Sequence, residues 1–165
     1  MTASINIRIA KKRDLASIQH LWAQLKKELP GHHFQPFGAP VDCQQQQQLT
    51  EVLDHCYQRD DAVIYVAEAE QLIGTLAAIE NYQTGYEKPE SAVLFNLWVD
   101  PLFRRNGVAT LLYQHARAWL EERDIQSVQA GWHPGNTASD QFWRQLGFRS
   151  YEVIGAVALN SMPLK

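Results

Sequence analysis

The sequence contains little cysteine. Cys43 and Cys56 are the only two cysteines among 165 residues, and they do not form a C-x-x-C pair. This scarcity argues against a disulfide framework and against a zinc site. His32 and His33 are adjacent, but no carboxylate or cysteine lies at ligand spacing from them, so we expect no metal. Reduced thiols are typical of a cytoplasmic protein, which is the location that we expect.

Long apolar runs and a strong charge of one sign are also absent. No stretch approaches the roughly 20 apolar residues of a membrane span, and the N-terminus lacks the apolar core of a signal peptide. The net charge is −3, and the basic residues are scattered along the chain. We therefore expect neither a nucleic acid nor a membrane as a partner. A chain of 165 residues, 45% of them apolar, is typical of one soluble domain, predicted here to span residues 1–165.

The sequence further lacks the glycine motifs G-x-G-x-x-G and G-x-x-x-x-G-K of many phosphate-binding loops. It has instead a strand, a basic loop and a helix in succession. Residues 92–99 form an apolar run that ends at Asp100-Pro101, and apolar residues from Val108 to Leu120 recur at helical spacing. The loop between them contains two arginines and Gly107. Because the first amides of a helix are unpaired and its dipole favours anions, this loop is predicted to bind a phosphate or pyrophosphate.

Two stretches of the sequence carry a family resemblance. Residues 99–109 read V-D-P-L-F-R-R-N-G-V-A, which resembles the acetyl-CoA pyrophosphate loop (R-x-x-G-x-G/A) of the GNAT superfamily of N-acetyltransferases. Residues 136–148 read N-T-A-S-D-Q-F-W-R-Q-L-G-F, which is similar to that family's second signature, N-x-x-A-x-x-F-Y-x-x-x-G-F. The two motifs occur in the family's order, and together they are much more specific than either alone.

The periodicity along the chain predicts ten elements in the order β-α-α-β-β-β-α-β-α-β. This is an α/β (α+β layered) arrangement, a mixed central sheet flanked by helices, and the order resembles the GNAT fold over nearly the whole chain. Besides the central strand and central helix, the predicted elements are strand Ile5–Ile9, a helix capped by Asp14, helix Cys43–Gln58, hairpin strands Ala62–Glu68 and Leu72–Tyr82, strand Ser127–Trp132, helix Ser139–Leu146 and strand Val153–Leu159.

The resemblance implies acetyl-CoA as co-substrate. In the family it lies between the central strand and the next parallel strand, here the one that ends near His133, where the two strands splay apart. Strand backbone would pair with the pantetheine arm, and one strand amide would polarise the thioester carbonyl. The cofactor-binding residues that the resemblance implies are Leu97, Trp98, Val99, Arg104, Arg105, Asn106, Gly107, Val108, Ala109, Thr110, Asn136, Ser139, Phe142 and Trp143.

Several of these positions have a plain structural alternative. The two arginines also fit a solvated loop, and Asn136 also fits a helix cap. Trp143 stands where the family commonly has a tyrosine that protonates the leaving CoA thiolate, and an indole cannot act as that acid. A thiol has a pKa near 8.5, so the thiolate can leave unaided; water, Tyr113, Ser139 or Tyr151 are alternative proton donors.

The general base is not fixed by the sequence. The family often has a glutamate at the position of Phe95, which cannot accept a proton. The catalytic candidates are Glu80, Tyr82 and His133, with Glu87 and Glu90 as further carboxylates; each also fits a surface or structural role.

Two functions remain open at this point. The first is an acetyl-CoA-dependent N-acetyltransferase that transfers the acetyl group to a primary amine by direct attack in a ternary complex. The second is a non-catalytic acyl-CoA-binding sensor or regulatory module, suggested by Trp143 and Phe95. The loops 31–40 and 81–91 would flank the acceptor, a small-molecule amine or a peptide N-terminus. Family members are often dimers, so a homodimer is an open alternative.

Overall fold

The structure is a computed structural model, and it describes residues 4–28, 51, 54–81, 91–133 and 135–151. Some predictions lie outside these residues. They are the aromatic loop 31–40, most of the second predicted helix, Tyr82 with the loop that follows it, and the strand predicted at Val153–Leu159. Residues 54–58, at the end of the second predicted helix, are helical.

The described strands form one mixed sheet in the order β1-β2-β3-β4-β5. The pairs β1–β2, β2–β3 and β3–β4 are antiparallel, whereas β4 and β5 are parallel to each other. This mixed sheet with flanking helices confirms the predicted fold class. The strands are β1 Asn6–Ile9, β2 Ala62–Glu68, β3 Leu72–Asn81, β4 Ser91–Val99 and β5 Ser127–Ala130; the helices are α1 Leu15–Glu28, α2 Val108–Glu121 and α3 Thr137–Gln145.

The two long helices cover opposite faces of the sheet. On one face, Ile18 and Trp22 of α1 pack with every second residue of β2, including Ile64. On the other face, Leu112 and its helical neighbours on α2 pack with the intervening strand residues, including Tyr65. Because side chains alternate along a strand, those in the last part of β4 also lie partly on the α1 face and partly on the α2 face of the sheet. Leu97 and Val99 belong to the α2 face, while Phe95 packs with the α1 cluster and Trp98, between Leu97 and Val99, points to the α1 side.

Ile5, Ile7 and Ile9 alternate with polar residues in the sequence, which predicts a half-buried strand with the isoleucines on its buried face, but this prediction is wrong at Ile9. Ile9 is 54% exposed, whereas Arg8, expected on the polar face, is half-buried. The reason is an ionic cluster in which the Arg8 guanidinium donates to Asp14 and Glu68. Asp14 does not cap α1 as predicted; its carboxylate accepts from the Lys11 amide and closes the turn before the helix. The hydrogen bonds from Arg8 hold the pKa of Asp14 below its usual range.

Strand β4 contains a bulge near its middle. Phe95 pairs with Ala77 and Trp98 pairs with Thr75, so the two residues between them on β4 oppose a single residue of β3. Asn96 there has a φ of 52°, in the left-handed region that asparagine tolerates better than most residues. The strand therefore bends where it approaches its carboxyl end. Within the described residues, no helix combines the length and the apolar character needed to cross a membrane.

Candidate functional site

The pairing of the two parallel strands ends before β4 does, and the open edge of β4 beyond this point is called the cleft. The pairing of β4 with β5 runs from Ser91 with Ser127 to Leu94 with Ala130 and stops there. Strand β4 continues for five more residues, 95–99, while β5 ends at Ala130. Among the described residues, no strand pairs with this edge of residues 95–99. The backbone edge left over is the kind of edge that can accept an extended ligand as an added strand.

The backbone groups at the end of β4 point into this cleft. The Asp100 amide donates to the Ile73 carbonyl at 2.7 Å, and Val99 lies opposite Gly74. In an antiparallel ladder this pattern makes Val99 and Gly74 a non-hydrogen-bonded pair, so the Val99 N–H and C=O point away from β3. By the same alternation the backbone groups of Leu97 face the cleft, whereas those of Trp98 face β3.

The loop after β4 provides a run of unpaired amides. The amides of Leu102, Phe103 and Arg104 are bonded within the turn that follows Asp100. The next six amides, in residues 105–110, have no hydrogen-bond partner among the described residues, and the first bonded amide of α2 is that of Leu111, which donates to Gly107 at 3.0 Å. Six adjacent donors at a helix N-terminus form a strong site for an anion such as a pyrophosphate.

Gly107 is the N-cap of α2, as the strand–loop–helix pattern predicted. Its φ of 78° lies in the left-handed region, and a Cβ placed there would meet nothing within 4 Å. The glycine is thus required by the backbone conformation and not by crowding within the protein. Val108, Ala109 and Thr110 follow in the first turn; the Val108 side chain is buried in the core, so it is the backbone of Val108 that faces the loop.

The two arginines of the loop have different surroundings. The Arg104 Nε donates to the Val99 carbonyl at 2.7 Å, and its Nη2 lies 2.6 Å from Glu28 at the end of α1. The guanidinium carbon is also 5.8 Å from the ring centroid of Trp98. Arg105 is exposed with a φ of 65°, and it has no ion pair among the described residues. Asn106, next to it, is exposed as well.

The second motif forms a capped helix beyond β5. The Asn136 Oδ1 accepts from the Ser139 amide at 3.1 Å and caps α3. The side-chain NH₂ of Asn136 has no partner among the described residues, so capping leaves two donors for a ligand. Trp132 donates to Asp140 at 2.9 Å. Hydrogen bonds from Arg144 and then from Trp132 hold the pKa of Asp140 below its usual range.

Trp143 lies inside an aromatic cluster. It is 3% exposed, and its ring is surrounded by Phe148 at 4.9 Å, Phe142 at 5.1 Å, Tyr113 at 6.3 Å and Trp132 at 6.4 Å between centroids. The tryptophan thus contributes to the core under the cleft. Phe142 is half-buried and packs edge-on against it. The predicted cofactor contacts of both residues stay predictions.

Glu80 lies far along the sheet from the loop. It pairs with Ala92 at the beginning of β4, six residues of β3 away from Gly74, which is about 20 Å along a strand. Its carboxylate is 3.0 Å from Arg123, and its side chain is 8% exposed. Arg123 in turn covers the Trp119 ring at 4.1 Å. Glu80 and Arg123 line an open cavity of about 510 Å³ together with Arg59, Asp60 and Asp61.

His133 follows β5 in the turn before α3. It is exposed, and its Nδ1 accepts from the Gly135 amide at 3.0 Å. A neutral imidazole has one lone pair available in the ring plane, and this hydrogen bond uses it, so Nε2 carries the proton. In this arrangement His133 presents an N–H donor at Nε2.

Three residues with clear roles were missed by the sequence reasoning. Asn96 forms the bulge, and a single asparagine inside an apolar strand run is a signal that could have indicated it. Glu28 holds Arg104, and Arg123 holds Glu80, across 76 and 43 positions of sequence. No local pattern predicts such distant ion pairs.

Comparisons with known proteins agree with this geometry. The model of the acetyltransferase (GNAT) family matches residues 19–148. An uncharacterised N-acetyltransferase of Methanocaldococcus jannaschii is 30% identical over 97 residues, which are 58% of this chain and 43% of that protein. The matched region thus spans less than half the length of that relative.

Two solved structures share the fold over almost their whole length. A predicted acetyltransferase from Clostridium acetobutylicum, solved with acetyl-CoA, has a TM-score of 0.75 at 17% identity, covering 96% of this chain and 99% of that one. AAC(6')-Iy, solved with the bisubstrate analogue CoA-S-monomethyl-acetylneamine, has a TM-score of 0.65 at 25% identity, covering 94% and 97%.

Proposed function

The chain belongs to the acetyltransferase (GNAT) family, and from this premise we propose that it transfers the acetyl group of acetyl-CoA directly to a primary amine in a ternary complex. The predicted enzyme class, N-acetyltransferase, is the class of this family. A primary amine also agrees with the neamine-based analogue bound by the structurally similar AAC(6')-Iy.

One observation carries the proposal. The cleft-facing backbone at the end of β4 leads directly into six consecutive unpaired amides at the start of α2. An extended ligand with an amide-containing arm and a pyrophosphate needs such a succession, because the arm can pair like a strand and the phosphates need clustered N–H donors. Acetyl-CoA has both parts in that order. Asn136 adds two side-chain donors from the opposite side of the cleft.

The residues of the chain activate the thioester by position and by hydrogen bonding. Acetyl-CoA supplies the thioester carbonyl that the amine attacks. A cleft-facing amide, of Leu97 or Val99, donates to that carbonyl oxygen and stabilises the negative charge that develops on it. Holding the two reactants together supplies most of the remaining rate enhancement.

We propose that the attacking amine loses its proton to water. The carboxylate of Glu80 is ion-paired far from the loop, and the lone pair of His133 Nδ1 is bonded to the Gly135 amide. The nitrogen forms its bond to the carbonyl carbon, the C–S bond breaks, and the sulfur leaves as a thiolate. A thiolate with a pKa near 8.5 does not require a protein acid, which agrees with a buried tryptophan at position 143.

The pH dependence of the reaction tests this proton path. If water is the acceptor, log(kcat/KM) rises with pH up to the pKa of the amine itself, about 10.4 for an alkylamine. The profile moves to lower pH with an acceptor of lower pKa, and His133→Gln and Tyr82→Phe change it by less than about threefold. A limb near pH 6.5 that disappears in His133→Gln would identify His133 as the base.

The function itself is tested by following thiol release from acetyl-CoA. The acceptor panel consists of polyamines, aminoglycosides, amino acids, arylamines and short peptides, and mass spectrometry identifies the acetylated product. Burial raises the pKa of Cys56 to about 11, so this thiol reacts slowly with thiol reagents and adds little background. Amine-dependent release with a product 42 Da heavier than the acceptor supports the transferase. Tight CoA binding without release on any amine would favour the sensor alternative.

A further inference from the structure

Arg104 and Arg105 are adjacent in the loop between β4 and α2, but their side chains differ in their contacts with the rest of the protein. We infer that Arg104 is a positioning residue that fastens the loop to β4 and α1, and that Arg105 is the guanidinium that faces the phosphates of the ligand. This inference rests on the proposed function, because it assigns separate tasks within the same site.

The guanidinium of Arg104 is occupied by contacts within the protein. Its Nε bonds the Val99 carbonyl, its Nη2 bonds Glu28, and its guanidinium lies near the Trp98 ring. Glu28 ends α1, and Trp98 points to the α1 side of the sheet. The unpaired amides, in contrast, lie at the start of α2, whose buried side chains pack on the opposite face. The Arg104 guanidinium is therefore engaged by three groups of the protein at the end of β4 and of α1.

The contact of Arg104 with Val99 also fixes the entrance to the cleft. The Val99 carbonyl is one of the backbone groups that point into the cleft, and the Arg104 Nε–H occupies one of its two lone pairs. The loop thus begins at a fixed distance and orientation from the strand end. Removing this hydrogen bond loosens the loop relative to β4, although it removes no donor from the phosphate site itself.

Arg105 has the opposite properties. It is exposed, it has no ion pair among the described residues, and its φ of 65° turns the chain between Arg104 and the amides. Arg105 itself carries the first of the six unpaired amides. An unpaired guanidinium beside clustered N–H donors is suited to phosphate oxygens, which accept two parallel hydrogen bonds from it.

The test measures CoA binding by titration calorimetry at 50 and 300 mM NaCl, in the full chain and in single variants. Arg105→Gln is expected to weaken binding about tenfold at 50 mM NaCl and much less at 300 mM, because salt screens an exposed charge pair. Arg104→Gln is also expected to weaken binding, but the fold-change that it causes at 50 mM NaCl equals the fold-change that it causes at 300 mM NaCl. Arg117→Gln, an exposed arginine paired with Glu121 on α2, is the matched control and leaves binding unchanged.

A second readout works without any ligand. In two-dimensional NMR of the free protein, Arg104→Gln shifts the indole N–H signal of Trp98, whereas Arg105→Gln and Arg117→Gln leave it in place; Trp98→Phe assigns the signal. Glu28→Gln is expected to shift the same signal, and combining it with Arg104→Gln adds nothing further.

Two results would overturn the inference. One is an Arg104→Gln variant that loses affinity with the same salt dependence as Arg105→Gln, and the other is an unshifted Trp98 signal in Arg104→Gln. Failure of the wild-type chain to bind CoA at all is a different result. It would refute the proposed function and the assignment of Arg105, while the Trp98 signal would still decide whether Arg104 fastens the loop.

Discussion

The two ends of the central sheet differ in whether their polar groups have partners within the protein. At the cleft end, defined by residues 95–110, no described strand pairs with the free edge of β4, and six successive amides have no hydrogen-bond partner among the described residues. At the far end, defined by Arg59, Asp60, Asp61, Glu80 and Arg123, charges form ion pairs, with Arg59 on Asp61 and Arg123 on Glu80. The unpaired N–H groups at the cleft end are available to a ligand, whereas the paired charges at the far end contribute to stability.

The largest effect is expected from disturbing the cleft end at Gly107. Gly107→Val places a β-branched residue at a φ of 78°, which distorts the loop and its amides. We expect CoA to bind at least about 100-fold more weakly, since several charge-assisted hydrogen bonds are lost together. Titration calorimetry measures this loss.

Gly147→Val is the matched control for this prediction. Gly147 also has a positive φ, 93°, with nothing within 4 Å of an added Cβ, but it follows α3 and lies outside the amide run. It is expected to share the destabilisation caused by backbone strain and to retain CoA binding. Equal losses of affinity in the two variants would show that strain, and not the phosphate site, explains the effect.

The next largest effect is expected in Glu80→Gln, a variant at the far end that should lower stability without lowering the rate of acetyl transfer. Glu80→Gln leaves Arg123 without its carboxylate in a partly buried position, so unfolding in urea should require about 1–3 kcal/mol less free energy. The kcat for acetyl transfer should change by less than about threefold. A 100-fold fall in kcat with unchanged stability would instead make Glu80 the general base. Glu121→Gln, in an exposed pair with Arg117, is the control and costs about 0.5 kcal/mol or less.

The smallest effect is a pH dependence at the far end. Hydrogen bonds from Arg59 hold the pKa of Asp61 below its usual range. A carboxylate with a lowered folded-state pKa stabilises the fold above its unfolded pKa, near 3.9, and this stabilisation is lost as the pH falls through the folded-state pKa. Asp61→Asn is therefore expected to cost about 1 kcal/mol at pH 7 and almost nothing at pH 2.

The measurement compares urea unfolding of Asp61→Asn with that of the wild-type chain across this pH range. Asp60→Asn, the neighbouring exposed carboxylate, serves as the control. A difference between Asp61→Asn and wild type that stays constant from pH 7 to pH 2 would contradict the assigned role of the Arg59–Asp61 pair.

Local sequence predicted the cleft end well. The start of α2 at Gly107, the end of β4 before Asp100 and the hairpin of β2 and β3 are all as predicted. These features depend on glycine and proline conformations and on residue periodicity, which act over a few positions. The sequence left two roles open for Asn136, a cofactor contact and a helix cap. Its side-chain oxygen caps α3. Its NH₂ group has no partner among the described residues and stays available for a cofactor contact.

The partners of the charged side chains were decided by tertiary structure alone. The sequence could not distinguish Arg104 from Arg105, because the difference comes from Glu28, which is 76 positions away and reaches the loop only when α1 packs on the sheet. The pairing of Glu80 with Arg123 likewise exists only once β3 and the end of α2 are adjacent. The sequence by itself predicted the described strands and helices, the loop before α2 and the family, since these depend on local conformation and on short motifs. Which polar groups remain free to bind a ligand depends on long-range packing, and only the folded sheet and its two helices decide it.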